Sequence, residues 1–391
     1  MKSRDRIVNL IQFLPYFPPH TWGLEDVAEW ISSEYMRAGY GKVLNVTFSV
    51  GQSKMEGSYE TASGSRVILL PAFDLVKNFP VPQIWSFGFW RAFREIWAFG
   101  GDIVQTHTRF FLSSFIGGIY AKLHRKKWVH VEHGSGYVVS EKKLVTFFSR
   151  VFDRTIWKWI FISADRVIAI SEACKTFVLE EFINREVTVI YRGISIPQIP
   201  RIPSVDGKVR ITFVGRLVYL KGVMFLLEAL DQLVQSGITN FSCRIVGDGE
   251  MRAELEAYVF DHTLGNYVTF LGFQSKEAVL GTILPSTDIF VNPSLQEWLP
   301  TTVIEALLSG CVVVATDVGG TAEICEGKDL IITTPGNRED LENTLKTMIS
   351  TFKRVAWTSW ETVKTKFDPK SNIWKIYELY VAERILGRKD F

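Results

Sequence analysis

Residues 288–326 read DIFVNPSLQEWLPTTVIEALLSGCVVVATDVGGTAEICE, and their punctuation decides the fold. Asp288 to Pro293 is a short apolar run closed by Asn-Pro, the pattern of a buried strand that stops. Ser294 to Leu299 is a loop carrying Glu297. Pro300 fits a first helical position, with Thr301 and Thr302 behind it. Val303 to Leu308 continues as a mostly apolar helix that ends at Ser309-Gly310. Val312 to Ala315 is the next buried strand, and Gly319-Gly320 opens a tight turn. Strand, loop, helix, strand is the unit of a parallel α/β sheet, where ligands bind beyond the carboxyl ends of the strands. A helix starting there offers free N–H groups and a positive dipole end, which suit phosphate.

Two carboxylates mark this stretch, Glu297 and Glu305, with seven residues between them. Carboxylates only accept hydrogen bonds, so a pair at such a site can hold sugar hydroxyls on either side of a diphosphate. The alternative is a capped helix with two solvated glutamates. Glu305 argues against it, because an unpaired carboxylate inside an apolar run is costly.

The stretch resembles the E-x(7)-E signature of the retaining glycosyltransferases of family 4. Their fold is GT-B, an α/β architecture of two Rossmann-like domains facing across a cleft. The resemblance implies that Glu297 binds donor-sugar hydroxyls and Glu305 the ribose of the nucleotide. It also implies that amides from Leu299, Thr301 and Thr302 meet the sugar and diphosphate. One departure is plain. The family often has Phe-Gly where this chain has Leu299-Pro300, and Pro300 has no N–H to donate.

The chain has 391 residues, enough for two domains of ordinary size. Hydrophobic residues make up 47% and charged residues 22%, which fits a globular protein with sizeable cores. Cys174, Cys243, Cys311 and Cys325 lack metal or disulfide spacing and read as small buried residues of a reducing, cytoplasmic compartment. No small-residue cleavage site follows the first apolar run, so it reads as a first strand and not a signal peptide. No apolar run is long enough to span a membrane. The amino half is basic and rich in Trp, and the remainder is net acidic, which points to different partners for the halves.

Arg6 to Leu14 and Val43 to Val50 read as strands around an amphipathic helix. No G-x-G-x-x-G follows the first strand, against a dinucleotide-binding dehydrogenase. Relatives of the resembling family carry Gly-Gly in this first loop; here it is Trp22-Gly23, where Trp22 either packs in the loop or stacks on an acceptor. Ile84 to Phe99 places aromatics at helical spacing with Arg91 and Arg94 opposite, the stripe expected of a helix core. His107 and His133 sit at the carboxyl ends of predicted strands. His133-Gly134 matches a family position whose histidine lies near the transferred sugar and the acceptor. From Lys122 to Arg166 there are ten Lys+Arg and four Asp+Glu, with Phe, Trp and Ile interleaved. Such a mixture favours an anionic membrane surface or, alternatively, an ordinary helix packed on the sheet. No nucleic-acid motif accompanies it.

Pro197, Pro200 and Pro203 stiffen a domain boundary near 196–208. Beyond it, Val209 to Val214 is a strand leading to Gly215-Arg216 and Lys221-Gly222. Arg216 and Lys221 can aim two cations at one diphosphate leaving group. The resemblance assigns them that role, in place of a metal. Gly247, in Gly247-Asp248-Gly249, and Phe273 have family counterparts that face the nucleotide. There is no D-x-D and no Cys/His metal cluster, so no cofactor and no essential metal are expected.

The sequence thus predicts an acceptor domain over 1–200, a nucleotide-sugar domain over 201–370, and a helix over 371–391 packing back on the first. The expected reaction moves a sugar from a nucleotide-diphosphate sugar to a lipid-linked or glycan acceptor in envelope glycan synthesis. Catalysis falls to His133, Arg216, Lys221 and Glu297, and acceptor binding to Trp22, Gly23 and His133. A sugar-nucleotide epimerase, a phosphorylase, or a non-catalytic binder of the nucleotide sugar are the other readings. The expected place is the cytoplasm, with the basic aromatic segment on the inner face of the membrane.

Overall fold

The computed structural model describes residues 6–17, 23–49, 57–76, 79–137, 150–352 and 360–386. Contacts divide the chain into two units, Met1–Gly193 with Asp368–Phe391, and Ile194–Phe367.

The first unit runs β1 (Leu10–Phe13), α1 (Gly23–Arg37), β2 (Val43–Ser49), β3 (Gly57–Glu60), β4 (Arg66–Val76), β5 (Phe79–Pro82), α2 (Phe87–Phe99) and β6 (Ile103–His107). It continues with α3 (Leu112–Leu123), β7 (Lys127–Glu132), α4 (Lys158–Ser163), β8 (Arg166–Ala169), α5 (Glu172–Glu181) and β9 (Thr188–Val189). Among the described residues the strand order is β3-β4-β2-β1-β6-β7-β8-β9, with β5 on β4. β3 and β5 run antiparallel to β4. The other pairs are parallel, β1 on both β2 and β6 and β6 on β7 among them. The order reverses at β1, and right-handed crossovers then force helices onto both faces. Phe89 and Ile96 of α2, Tyr120 of α3, Ile160 of α4 and Cys174 of α5 share one core. Ala28 of α1 lies in another, with Leu14 and Phe17. The switch between β1 and β6 is where such a sheet leaves a crevice, and His107 ends β6 there.

The C-terminal helix, Pro369–Leu386, belongs to this unit and packs on α1. Tyr377 stacks on Tyr40 with centroids 4.1 Å apart, and its hydroxyl donates to the Arg6 carbonyl at 2.8 Å.

Two expectations need correcting here. Residues 57–82 hold three strands that the sequence reading left unassigned. The aromatics of α2 are only partly its core, since Phe89 is buried and Phe93 and Phe99 pack against it while the others are not buried. Phe89, Ala92 and Ile96 face the sheet, while Trp85, Phe87, Trp90 and Trp97 are exposed. Of the basic aromatic segment, residues 138–149 (Lys142 and Lys143 among them) lie outside the described residues. Its remainder buries Trp157, Ile160 and Phe161 against the sheet, as an ordinary packed helix does.

The second unit runs β10 (Val209–Val214), α6 (Val223–Gln235), β11 (Phe241–Val246), α7 (Arg252–Asp261), β12 (Val268–Gly272) and β13 (Ile289–Asn292). Then follow α8 (Thr301–Leu308), β14 (Val312–Thr316), β15 (Leu330–Thr333) and α9 (Arg338–Thr351). The sheet is parallel, in the order β12-β11-β10-β13-β14-β15. β13 and β14 are near-continuous apolar runs, as expected of central strands covered on both faces, while β10 and β11 carry Arg210 and Arg244 at partly exposed positions. Pro300 is the cap residue of α8, not its first helical residue. Its extended backbone, at φ −72° and ψ 104°, turns the chain, and its carbonyl accepts from Val303 and Ile304.

Candidate active site

In the second unit the carboxyl ends of β10 and β13 bring two loops together. The Leu295 amide donates to the Leu220 carbonyl at 2.8 Å. Gly222 sits at φ +66°, and a Cβ there would fall 2.0 Å from the Pro293 carbonyl oxygen. Only glycine tolerates both the left-handed backbone and the contact. That approach carries the Lys221 ammonium to within 2.5 Å of Glu297 Oε1. Ser294 Oγ lies 2.8 Å from the same oxygen and 2.6 Å from Asn292 Oδ1. With one hydroxyl proton, it donates to one of them at a time. A Cβ on Gly319, at φ +56°, would fall 2.2 Å from the Glu297 carbonyl oxygen, and the Gly320 amide donates to the Trp298 carbonyl at 2.7 Å. The glycine pair therefore clamps the loop that carries Glu297.

Behind this pair stands α8, whose first turn has no side-chain cap. Thr301 and Thr302 open it, and Leu299 is buried just before it. Uncapped amides at a helix start attract an anionic group. Glu305 lies one turn in and is buried, with the Lys276 ammonium 3.8 Å away. Gly215 and Gly247 close the neighbouring strand ends, the Gly215 amide donating to Val246 and that of Gly247 to Gly272. Arg216 is exposed in the turn after β10, and Phe273 is exposed after β12.

In the first unit, His107 and His133 meet. His107 Nδ1 lies 3.2 Å from His133 Nε2, and both rings are buried. His107 Nε2 faces Gln12 Oε1 at 3.0 Å and Gln105 Nε2 at 2.7 Å. Burial lowers the His133 pKa to about 4, with Glu132 opposing and His130 and Arg192 adding to the fall. Burial also lowers that of His107 well below its ordinary value, and both neighbouring histidines reinforce it. Both rings are therefore neutral at pH 7 and act as hydrogen-bonding groups.

The turn bearing His133 is held by residues that the sequence reading missed. Glu132 Oε1 accepts from Arg109 Nη1 at 2.8 Å and from the Gly134 amide at 2.7 Å. Its Oε2 accepts from the Arg109 amide at 3.0 Å and faces His130 Nε2 at 3.2 Å. Arg109 also donates from Nε to Asp153 at 2.9 Å. Burial pushes the Glu132 carboxyl up, but Arg109, His130 and the Gly134 amide outweigh it and hold its pKa at about 2. A charged residue inside the apolar strand VHVEHG was the available signal, since such a charge requires a partner. Gly23 opens α1, with Arg192 Nη1 3.5 Å from its carbonyl; Trp22 lies outside the described residues.

The chain is similar to known proteins. The model of the family described as Glycosyl transferases group 1 matches residues 208–351, and that described as Glycosyltransferase Family 4 matches residues 43–197. An uncharacterized glycosyltransferase of Methanocaldococcus jannaschii is 33% identical over 82% of this chain and 83% of its own. An Escherichia coli protein is 28% identical over 56% of this chain and 58% of its own. Its name is UDP-Gal:alpha-D-GlcNAc-diphosphoundecaprenol alpha-1,3-galactosyltransferase. Sucrose-phosphate synthase from Thermosynechococcus elongatus has the same fold, with a TM-score of 0.80, 20% identity, and coverage of 98% of this chain and 100% of that one.

Proposed function

This chain belongs to the group 1 glycosyl transferases, and from that premise we propose that it moves a sugar from a nucleotide-diphosphate sugar to a lipid-linked acceptor, with retention at the anomeric carbon. It is a glycosyltransferase with two parallel-sheet units of the GT-B kind. The observation that carries the finer reading is the Lys221–Glu297 pair, braced by Ser294 beside the uncapped start of α8. A lysine paired to a carboxylate is oriented before substrate arrives, so its remaining N–H donors are already aimed. Donor diphosphate sits at the start of α8, against Lys221 and Arg216, and no metal is invoked. Glu297 accepts from hydroxyls of the sugar, and Glu305 from the ribose. The lipid-linked acceptor is supported by the Escherichia coli relative, whose name carries a diphosphoundecaprenol.

The chemistry is a front-side displacement. The bond between the anomeric carbon and the leaving phosphate oxygen breaks. The acceptor oxygen bonds to the same face of that carbon, and its proton passes to the departing phosphate. Arg216 and Lys221 meet the charge that grows on that phosphate, where fixed cations are worth most. His133, neutral and buried, orients the acceptor hydroxyl by hydrogen bonding. An epimerase would release an altered sugar nucleotide with no acceptor present, so product analysis in its absence separates the two activities.

A thermal-shift panel of nucleotide sugars, without added metal, tests the donor site. One donor at about 100 times its Kd raises the wild-type melt by about 2 °C or more, and Glu305→Ala abolishes the rise. No shift with any donor, or an equal shift in the variant, overturns the assignment. An inverted anomeric product in NMR overturns retention.

A further inference from the structure

The outer face of α2 has no role in the site above. Projected at 100° per residue, Phe87, Trp90, Arg91, Arg94 and Trp97 fall on one arc, opposite the buried Phe89, Ala92 and Ile96. Exposure is 83% for Phe87, 59% for Trp90 and 65% for Trp97, and 70% for Trp85 just ahead of the helix. Arg91 and Arg94 are exposed between them. The arc contains no acidic residue. Glu95 stands beside it, engaged by Arg66 at 2.5 Å and by Arg91 of the arc at 3.6 Å. The adjoining end of α3 continues the pattern. Tyr120 packs on Phe93 with centroids 6.0 Å apart, and Leu123 is exposed among Lys122 and Arg125.

We propose that this face is a docking surface for an anionic lipid bilayer. Three observations select that occupant. Trp and Phe interleaved with Arg place rings at headgroup depth and guanidinium groups on lipid phosphates. Arg91 and Arg94 stand against the single carboxylate Glu95, which leaves this face of the helix net positive, and that suits an anionic layer. A second copy of the chain fits worse, because a two-fold contact through α2 sets Arg91 and Arg94 against the same arginines. The helix starts beside the carboxyl ends of the sheet strands, the end that carries His107 and His133, so a docked unit meets acceptors displayed at the bilayer. This surface rests on the lipid-linked acceptor proposed above, and it differs from the 122–166 segment that the sequence singled out.

The test is co-sedimentation of the full chain with phosphatidylcholine vesicles and with vesicles of phosphatidylcholine and phosphatidylglycerol in equal parts. Wild type should sediment with the second kind. Phe87→Ala with Trp90→Ala and Trp97→Ala should lose the association while keeping the wild-type melting temperature. Arg91→Gln with Arg94→Gln should weaken partition about thirtyfold, at about 1 kcal/mol for each arginine. Equal partition of wild type and either variant, or no wild-type binding, overturns the proposal. So does a wild-type dimer that the aromatic substitutions dissolve, because the face would then join two copies. The assay contains neither donor nor acceptor, so its failure leaves the donor-site reading standing. Conversely, a failed donor shift leaves the vesicle result standing.

Discussion

At the scale of single residues, the proposed site holds its charges in place through neighbouring side chains. Lys221 is fixed by Glu297 and cannot be exchanged for a neutral residue without losing the cation and the brace together. Lys221→Ala should lower kcat by about 10²- to 10³-fold with the melt little changed, as loss of one preorganised donor does. Steady-state rates with a matched melting curve check this. Glu132 works differently, since it supports the His133 turn from behind. Glu132→Gln leaves Arg109 with Asp153 as its remaining charged partner in a buried place, at a cost of about 3 kcal/mol. Chemical denaturation should show that loss, and kcat should fall more than the donor KM rises. Equal change in both would mean that Glu132 holds the fold alone. Spacing singled out Glu297 and Glu305, and a turn with Lys and Gly singled out Lys221; the structure pairs Lys221 with Glu297 and buries Glu305. Ser294, Asn292 and Arg109 were not singled out, because a short polar residue or a lone arginine has no period to betray its partner.

At the scale of elements, two cases show where periodicity informs and where it fails. The unit β13–loop–α8–β14 was readable because each boundary has its own punctuation, Asn-Pro, Pro-Thr-Thr and Ser-Gly. The helix start differs by one residue, since Pro300 caps α8 and its missing N–H lies outside the helix. The Leu299-Pro300 departure therefore removes none of the donors at Thr301 or Thr302. On α2 the helix was readable but its inner face was not. Phe89, Ala92, Phe93 and Ile96 form one apolar stripe, while Phe87, Trp90 and Trp97 form a second. The period of 3.6 favours neither. A further element went unread as a fastening, the segment before β10. Arg201 Nη2 reaches Asp288 Oδ1 at 2.8 Å, and Arg210 donates to the same buried carboxylate from Nε at 2.9 Å. Asp288→Asn should destabilise the second unit by about 3 to 5 kcal/mol, because two guanidinium groups lose their shared counter-charge. A melting transition of this unit that stays within about 0.5 kcal/mol of wild type would refute that account.

At the scale of the whole molecule, the chain returns to its first unit after building its second. The C-terminal helix supplies Ile373, Ile376, Tyr377 and Tyr380 to that unit, all of them buried. Burying a large apolar side chain contributes about 1.5 to 3 kcal/mol, so four approach the entire stability of a domain. Glu383 adds a bond to Arg166 at 2.6 Å, and Arg384 reaches Asp102 at 3.0 Å. Truncation after Phe367 should abolish the calorimetric transition of the first unit and leave that of the second. The two transitions also differ in acid. His133 titrates at about 4 when folded and near 6.5 when unfolded. Between those values the unfolded chain binds the extra proton, so stability falls as pH drops from 6.5 towards 4. The loss for His133 is about 3 kcal/mol, and His107 adds to it in the same direction. Glu132 acts lower, between 4.5 and about 2, where its depressed carboxyl is finally protonated. Scanning calorimetry at pH 7 and pH 5 should thus lower the first unit's transition well ahead of the second's. His133→Asn should shrink that difference, and a difference unchanged in the variant would move the acid sensitivity away from the histidine pair.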